Sequence, residues 1–252
     1  MMESISDIKN RLAETNDESL PLVMNLYAGD ERAGVKKALE GAQKRYDKLL
    51  AEKQRIYDLG AYERQYSDHM FICGIDEVGR GPFAGPVVAG AVILPKDCDI
   101  LYINDSKKLS EKVREKLYEE IKEKAVSAAV GIVEPARIDE INILQATYEA
   151  MRIAISKLDP GPDLLLNDAV TIPGVDIMQV PIIKGDAKSI SIGAASIFAK
   201  VTRDRLMLEY DKQYPEYGFA KNVGYGTAEH IAALKKYGPT PIHRRSFIHD
   251  YV

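Results

Sequence analysis

The residues in this sequence most capable of chemistry are acids that follow apolar runs. Asp76 and Glu77 stand together in ICGIDEVGRGPFAG (residues 72–85), and an Arg between two glycines follows at once. Asp168 closes DLLLND, and Asp186 comes just after VDIMQVPII. Carboxylates gathered from separate segments are oxygen ligands for hard cations such as Mg²⁺. Two such ions about 3.5–4 Å apart drive phosphodiester hydrolysis, one activating a water and the other stabilising the leaving oxygen. A plainer reading stands beside this one. The chain has 38 Asp and Glu, most of them surface solubilisers, and an acid at a strand end is often a turn or cap residue. On spacing alone, Asp163, Asp176 and Glu134 qualify equally.

Other chemistries fit less well. GRGPFAG has its third Gly at the wrong spacing for G-x-G-x-x-G, and it opens the apolar run PVVAGAVIL where a dinucleotide loop would open a helix. There is no Walker lysine pattern and no G-x-S-x-G elbow. The four histidines, His69, His230, His243 and His249, have no Cys at zinc-site spacing. His230 and His243 read as helix-surface or packing residues, and Tyr225 as a loop packing residue. Cys73 and Cys98 make no disulfide framework, which points to a reducing compartment. Cys73, inside an apolar run, reads as a small buried hydrophobe.

The elements that must position these acids are legible from periodicity. Residues 1–69 read as a helical N-terminal extension rich in good helix formers, with Asn16 or Asp17 capping a short second helix and Gly60 capping the end of a long third one. It carries no catalytic chemistry and suits packing on the main domain, contact with substrate, or contact with another protein. From residue 70 the pattern changes. Strands are predicted over FICGID, Pro86–Leu94, Ala125–Val133, Asp163–Ala169 and Val175–Ile183, the first two as an antiparallel pair. Helices are predicted over Ser110–Lys124, Pro135–Leu158, Ser189–Tyr210 and Thr227–Tyr237. The expected fold is α/β: a mixed five-stranded sheet flanked by helices (residues 70–252), with a helical C-terminal region. Open sheets of this kind collect ligands near strand ends.

At 252 residues, 46% hydrophobic and 29% charged, the chain is an ordinary globular protein in composition. Its net charge of −4 conceals an asymmetry: from Pro181 onward 11 Lys and Arg face 7 Asp and Glu. A basic C-terminal third is compatible with a polyanionic partner, and equally with a solvated helix. No apolar run reaches membrane-helix length, and MMESISDIKN lacks the pattern of a secretory signal, so no membrane partner and a cytoplasmic location are expected.

GIDEVGRGPFAGPVVAGAVIL, NDSKKLS, LLLNDAVTIP, IIKGDAKSISIGAASIFAKVTRDR and YGFAKNVGYGTAEHIAALKKYGPTPIHRRSF resemble, in order, the signature blocks of bacterial ribonuclease HII, from about Phe71 to Phe247. The resemblance implies a ribonuclease H-like fold. It implies an endonuclease that hydrolyses the RNA strand of RNA/DNA hybrids and cuts at ribonucleotides embedded in duplex DNA, leaving 3′-hydroxyl and 5′-phosphate ends, with a place in ribonucleotide excision repair and DNA replication. Carried over by motif, Asp76, Glu77, Asp168 and Asp186 are the catalytic carboxylates and hold two divalent ions, Mg²⁺ or Mn²⁺. Gly79, Arg80 and Gly81 read the ribose 2′-hydroxyl, the group that distinguishes RNA from DNA. Tyr225 stacks on substrate, and Lys107, Lys184, Lys188 and Ser189 contact backbone phosphate. Lys108 and Lys200 read as solvated surface. Ribonuclease HIII shares the fold but usually has Glu at the fourth acid, lacks the stacking tyrosine and carries a strand-rich N-terminal domain. Asp186, Tyr225 and a helical extension all favour HII.

Overall fold

The computed structural model describes residues 3–252. The chain divides into two compact units, one ending at Asp58 and one spanning Leu59–Val252.

The first unit is helical. Helix α1 (Ile5–Glu14) is capped by Ser4, whose hydroxyl accepts the Asp7 amide. Helix α2 (Leu20–Leu26) follows a turn in which the Ser19 amide donates to Asn16 Oδ1, so Asn16 shapes the entry to this helix without being its immediate cap. Helix α3 (Ala33–Leu59) supplies Val35 and Ala42 to a small core with Ile8, Leu12 and Leu20. Gly60 does not adopt the left-handed C-cap conformation expected of it. At φ −82° it starts helix α4 (Ala61–Gln65).

The second unit is built on a five-stranded sheet: β1 (Ile72–Val78), β2 (Val87–Ile93), β3 (Ser127–Val133), β4 (Leu164–Asp168) and β5 (Met178–Ile182), in the order β3-β2-β1-β4-β5. β1–β2 and β2–β3 are antiparallel, as expected for strands joined by short or returning connections, and β1–β4 and β4–β5 are parallel. Every residue of β2 is buried because helices cover both faces. On one face α6 (Pro135–Ser156) packs Ile138, Ala150, Met151 and Ala154 against Cys73, Ile75, Ala89 and Ala91. On the other, α7 (Ile190–Gln213) sets Ile192 among Ile72, Leu164, Leu166 and Ile182. Helix α5 (Glu111–Lys124) stacks Tyr118 on Phe198 of α7 at 4.7 Å between ring centroids. Helices α8 (Phe219–Asn222), α9 (Ala228–Tyr237) and α10 (Arg245–Ile248) complete the C-terminal region around Phe219, Leu234 and Ile248.

Three local features depart from the sequence expectations. β1 runs two residues further, so Asp76 and Glu77 lie inside the strand. β5 is a short edge strand, beginning only where it meets β4, while Gln179 binds the preceding loop through Ile172. The long sixth helix is broken at Asn142 (φ 65°), whose side chain accepts the amides of Leu144 and Gln145 and so restarts the helix as an N-cap.

β1 and α7 approach each other closely. A Cβ on Gly74 would sit 2.0 Å from the backbone carbon of Ser191 and 2.3 Å from the Ile192 amide nitrogen. Glycine at this position lets the first turn of α7 rest directly on the sheet.

Candidate active site

Strand direction sorts the acids. β1, β4 and β5 run parallel, so their C-terminal ends share one edge of the sheet. Asp76 and Glu77 lie near the end of β1, Asp168 is the last residue of β4, and Asp186 sits on a 3₁₀ turn (Gly185–Ala187) four residues beyond β5. Asp163 and Asp176 precede β4 and β5 and belong to the opposite edge, where Asp163 accepts the amides of Met70 and Phe71. Glu134 follows β3, which runs the same way as β1 but is the opposite edge strand, two strands from β1. The alternation of strand side chains puts Asp76 and Asp168 on the α7 face, with Gly74, Leu164 and Leu166.

Local hydrogen bonds hold Asp76, Glu77 and Asp168. Asp76 is 7% exposed and accepts the Glu77 amide; Ser196 of α7 lies beside it and bonds Ser106 at 2.9 Å. Asp168 Oδ1 accepts the Gly185 amide at 2.7 Å, tying β4 to the turn that bears Asp186. That turn is entered through Lys184 in a left-handed conformation (φ 59°) and closed by the Lys188 and Ser189 amides on the Gly185 carbonyl. Glu77 pairs with Arg80 at 3.3 Å.

The electrostatics are those of unbalanced negative charge. Burial, then the charges of Glu77 and Asp168, hold the Asp76 carboxyl well above the usual carboxylate range. Burial raises Glu77 as well, against the pull of Arg80 and Lys107. Asp186 is raised by burial and by Asp105 and Asp168, with Lys107 opposing. Among the described residues, no three acids, histidines or cysteines are close enough as they stand to enclose an ion. An all-oxygen donor set at a shared sheet edge, with the Asp76, Glu77 and Asp186 carboxyls raised, fits a hard divalent cation.

Sequence reasoning did not single out Asp105, whose charge acts on Asp186, nor Ser196. It also missed Glu63, whose Oε1 accepts the Ser189 hydroxyl and the Ser191 amide at the start of α7. Asp105 lies in NDSKKLS and Ser196 in the GAAS stretch, both inside the motif blocks, so position within those blocks was the available signal. Ser189 corrects an expectation. It is the N-cap of α7, but its side chain is fully buried and its hydroxyl is committed to Glu63, so that hydroxyl is not presented to a phosphate. Lys107, Lys184 and Lys188 are exposed around the acids. Lys108 is exposed as expected, whereas Lys200 is mostly covered and pairs with Asp204 at 2.6 Å.

The Gly79–Gly81 loop leaves β1 beside this cluster. Gly79 has φ +89°, and a Cβ there would meet Arg203 Nε at 2.2 Å, so sterics and backbone both demand glycine. Tyr225 is 47% exposed, and its ring edge lies 3.6 Å from where a Cβ of Gly81 would be. The structure therefore brings the glycine loop and Tyr225 together.

Behind Tyr225, His230 and His243 are buried packing residues joined Nε2 to Nε2 at 2.9 Å. The Thr240 amide donates to His243 Nδ1, so His243 carries its proton on Nε2 and donates to His230, whose Nδ1–H donates to the Tyr225 carbonyl. The chain of bonds requires both rings neutral. Burial and His230 push His243 down to about 4, and burial lowers His230. The stability this provides is complete above the ordinary histidine range and is lost as pH falls from about 6.5 toward the depressed folded values. The raised acids act in the opposite sense over part of that range. The expected result is that thermal melts of His243→Gln depend less steeply on acidification from pH 7 to 5 than those of wild type. Parallel pH profiles would contradict it.

Comparison with known proteins places the chain in a family. The family model "Ribonuclease HII" matches residues 73–250, and "Ribonuclease HII N-terminal domain" matches residues 4–67. Ribonuclease HII of Lachnoclostridium phytofermentans is 66% identical over 97% of this chain and 96% of its own length. Ribonuclease HII of Clostridioides difficile is 50% identical over 98% and 97%. Among solved structures, ribonuclease H2 from Pyrococcus horikoshii superposes with a TM-score of 0.60 at 31% identity, covering 70% of this chain and 93% of that one. No described helix is long and apolar enough to cross a membrane. With the ribonuclease H-like sheet, the shared edge of acids and these matches in hand, the chain belongs to the ribonuclease HII family and is a ribonuclease H hydrolase.

Proposed function

We propose that this chain hydrolyses the RNA strand of RNA/DNA hybrids and cuts on the 5′ side of ribonucleotides embedded in duplex DNA, leaving 3′-hydroxyl and 5′-phosphate ends. The observation that carries the proposal is the convergence of acids from β1, β4 and the turn after β5 at one sheet edge, beside a glycine loop and an exposed tyrosine.

Asp76, Glu77, Asp168 and Asp186 would hold two Mg²⁺ or Mn²⁺ ions, and the raised carboxyls of Asp76, Glu77 and Asp186 support that role. When bound, such ions supply an activated water and stabilise the leaving 3′-oxygen. The remaining work falls to the chain. Lys107, Lys184 and Lys188 would position the duplex through phosphate contacts that carry no base information. Arg80, held only by an exposed pair to Glu77, is free to move to a phosphate. Gly79–Gly81 would offer backbone groups to the 2′-hydroxyl, and Tyr225 a flat apolar face to the deoxyribose on the 3′ side of the cut.

Arg80→Ala and Tyr225→Ala test the recognition half. Both side chains are substantially exposed, so the fold should persist. Cutting at a single embedded ribonucleotide should fall roughly ten-fold or more, the scale of losing an aromatic or charged substrate contact. Equal cutting of a ribonucleotide-containing and an all-DNA duplex by wild type would refute 2′-hydroxyl reading.

A further inference from the structure

Two arginines are fully buried in the second unit without a carboxylate hydrogen-bonded to either. Arg244 donates to the carbonyls of Gly79 (Nη2, 2.5 Å), Arg80 (Nη1, 2.9 Å) and Gly85 (Nε, 3.0 Å; Nη2, 2.8 Å). Arg203 takes the carbonyls of Pro86, Ala84 and Val223. Burying a guanidinium is costly, and loop carbonyls alone are weak compensation for the lost water. Burial draws Arg244 down to about 9 and Arg203 to about 10, and both stay cationic at neutral pH. A solvated surface arginine would avoid that cost, so the planar fork is kept for what it orients.

The orientation follows from peptide geometry. The peptides joining Gly79, Arg80 and Gly81 are trans, so each N–H points opposite to the carbonyl of its own peptide plane. With the Gly79 and Arg80 carbonyls drawn inward to Arg244, the amides of Arg80 and Gly81 face outward. Neither amide has a hydrogen-bond partner among the described residues, and both residues are exposed. We infer that Arg244 is a positioning residue for ribose recognition, fixing two consecutive peptide planes so that the Arg80 and Gly81 amides are presented as donors to the 2′-hydroxyl. Arg203 acts nearby. It joins the loop at Ala84 and Pro86 to Val223, two residues before Tyr225, and so sets the spacing between the glycine loop and the tyrosine.

The inference rests on the reading that Gly79–Gly81 recognises the 2′-hydroxyl, and the experiment separates the two. Binding of wild type to two duplexes, identical except for one ribonucleotide or its deoxy counterpart, is measured with Ca²⁺ to suppress cleavage. No preference in wild type would sink the recognition reading itself. Given a preference, Arg244→Lys keeps the charge but cannot fork across three carbonyls. It should lose most of the preference and lower kcat/KM at the single ribonucleotide on the order of 100-fold, the scale of misplacing a substrate-orienting group. Mn²⁺ affinity, which reports the acid cluster, should stay near wild type. A folded Arg244→Lys with undiminished ribose preference overturns the inference. If that variant fails to fold, Gly81→Pro decides. It deletes one outward N–H while leaving Arg244 and its carbonyls in place, and a retained preference there overturns the inference equally.

Discussion

Asp76→Asn should abolish cleavage and at the same time make the metal-free protein more stable. Cutting should fall on the order of 1000-fold or more, because losing the proposed metal ligand would remove several kcal/mol of charge stabilisation from the transition state. The gain in stability follows from the sign of the pKa shifts. Asp76, Glu77 and Asp186 are raised above ordinary carboxylates, chiefly by burial. Acids raised in the folded state contribute stability that is present at low pH and lost as pH rises through their elevated values. At neutral pH the wild-type cluster therefore strains the fold. An amide of the same shape removes one charge and keeps a polar group beside Ser196. A gain of about 1 kcal/mol, common when a functional site is neutralised, corresponds to ~2–4 °C in a chain of this size. Saturating Mn²⁺ should reverse the order, since only wild type gains the full binding free energy. Melting curves with and without Mn²⁺ check this, and wild-type turnover by the variant with Mg²⁺ would contradict the assignment of Asp76.

Gly74→Ala should damage both stability and activity, although it adds a single methyl. That methyl would lie 2.0 Å from the Ser191 backbone carbon and 2.2 Å from its carbonyl oxygen. Backbone at the start of a helix cannot rotate away as a side-chain tip can, so α7 must lift from the sheet. Overpacking of this kind costs ~3 kcal/mol, toward the upper end of its usual range. The same displacement carries Ser196 away from Asp76 and disturbs the Asp186 turn that leads into α7, so activity should fall with stability. Gly161→Ala, with nothing within 4 Å of the new Cβ, should stay within ~0.5 kcal/mol of wild type. Denaturant melts of the two variants side by side check the contrast. Equal midpoints would show that α7 does not rest on Gly74.

The fold was largely readable from the sequence because its elements obey simple periods. PVVAGAVIL announces a strand buried on both faces, and the helices on either side repeat at helical spacing. What the sequence could not rank was the acids. Asp163, Asp168 and Asp176 all flank strands, and only the parallel pairing of β4 and β5 with β1 separates Asp168 from the other two. Pairing between strands so far apart in the chain leaves no local trace. The family motifs supplied that choice in advance, and the geometry now gives it a physical reason. Buried polar groups were the harder class. Nothing in the sequence marks Arg203 and Arg244 as buried, because most of their partners are carbonyls of a loop more than a hundred residues earlier. The burial of Ser189 was not legible, because its hydroxyl's partner is Glu63, 126 positions away. The break at Asn142 was hidden by a side chain that replaces the helix's own hydrogen bonds with its amide oxygen.

The most direct measurement is cleavage by wild type, with Mg²⁺, of a DNA duplex carrying one ribonucleotide, with the product ends mapped. The expected result is a single cut 5′ of the ribonucleotide that leaves a 3′-hydroxyl and a 5′-phosphate, and no cut in the matching all-DNA duplex. Cleavage on the 3′ side leaving a 2′,3′-cyclic phosphate, or equal cutting of both duplexes, would contradict a carboxylate–metal nuclease guided by the 2′-hydroxyl.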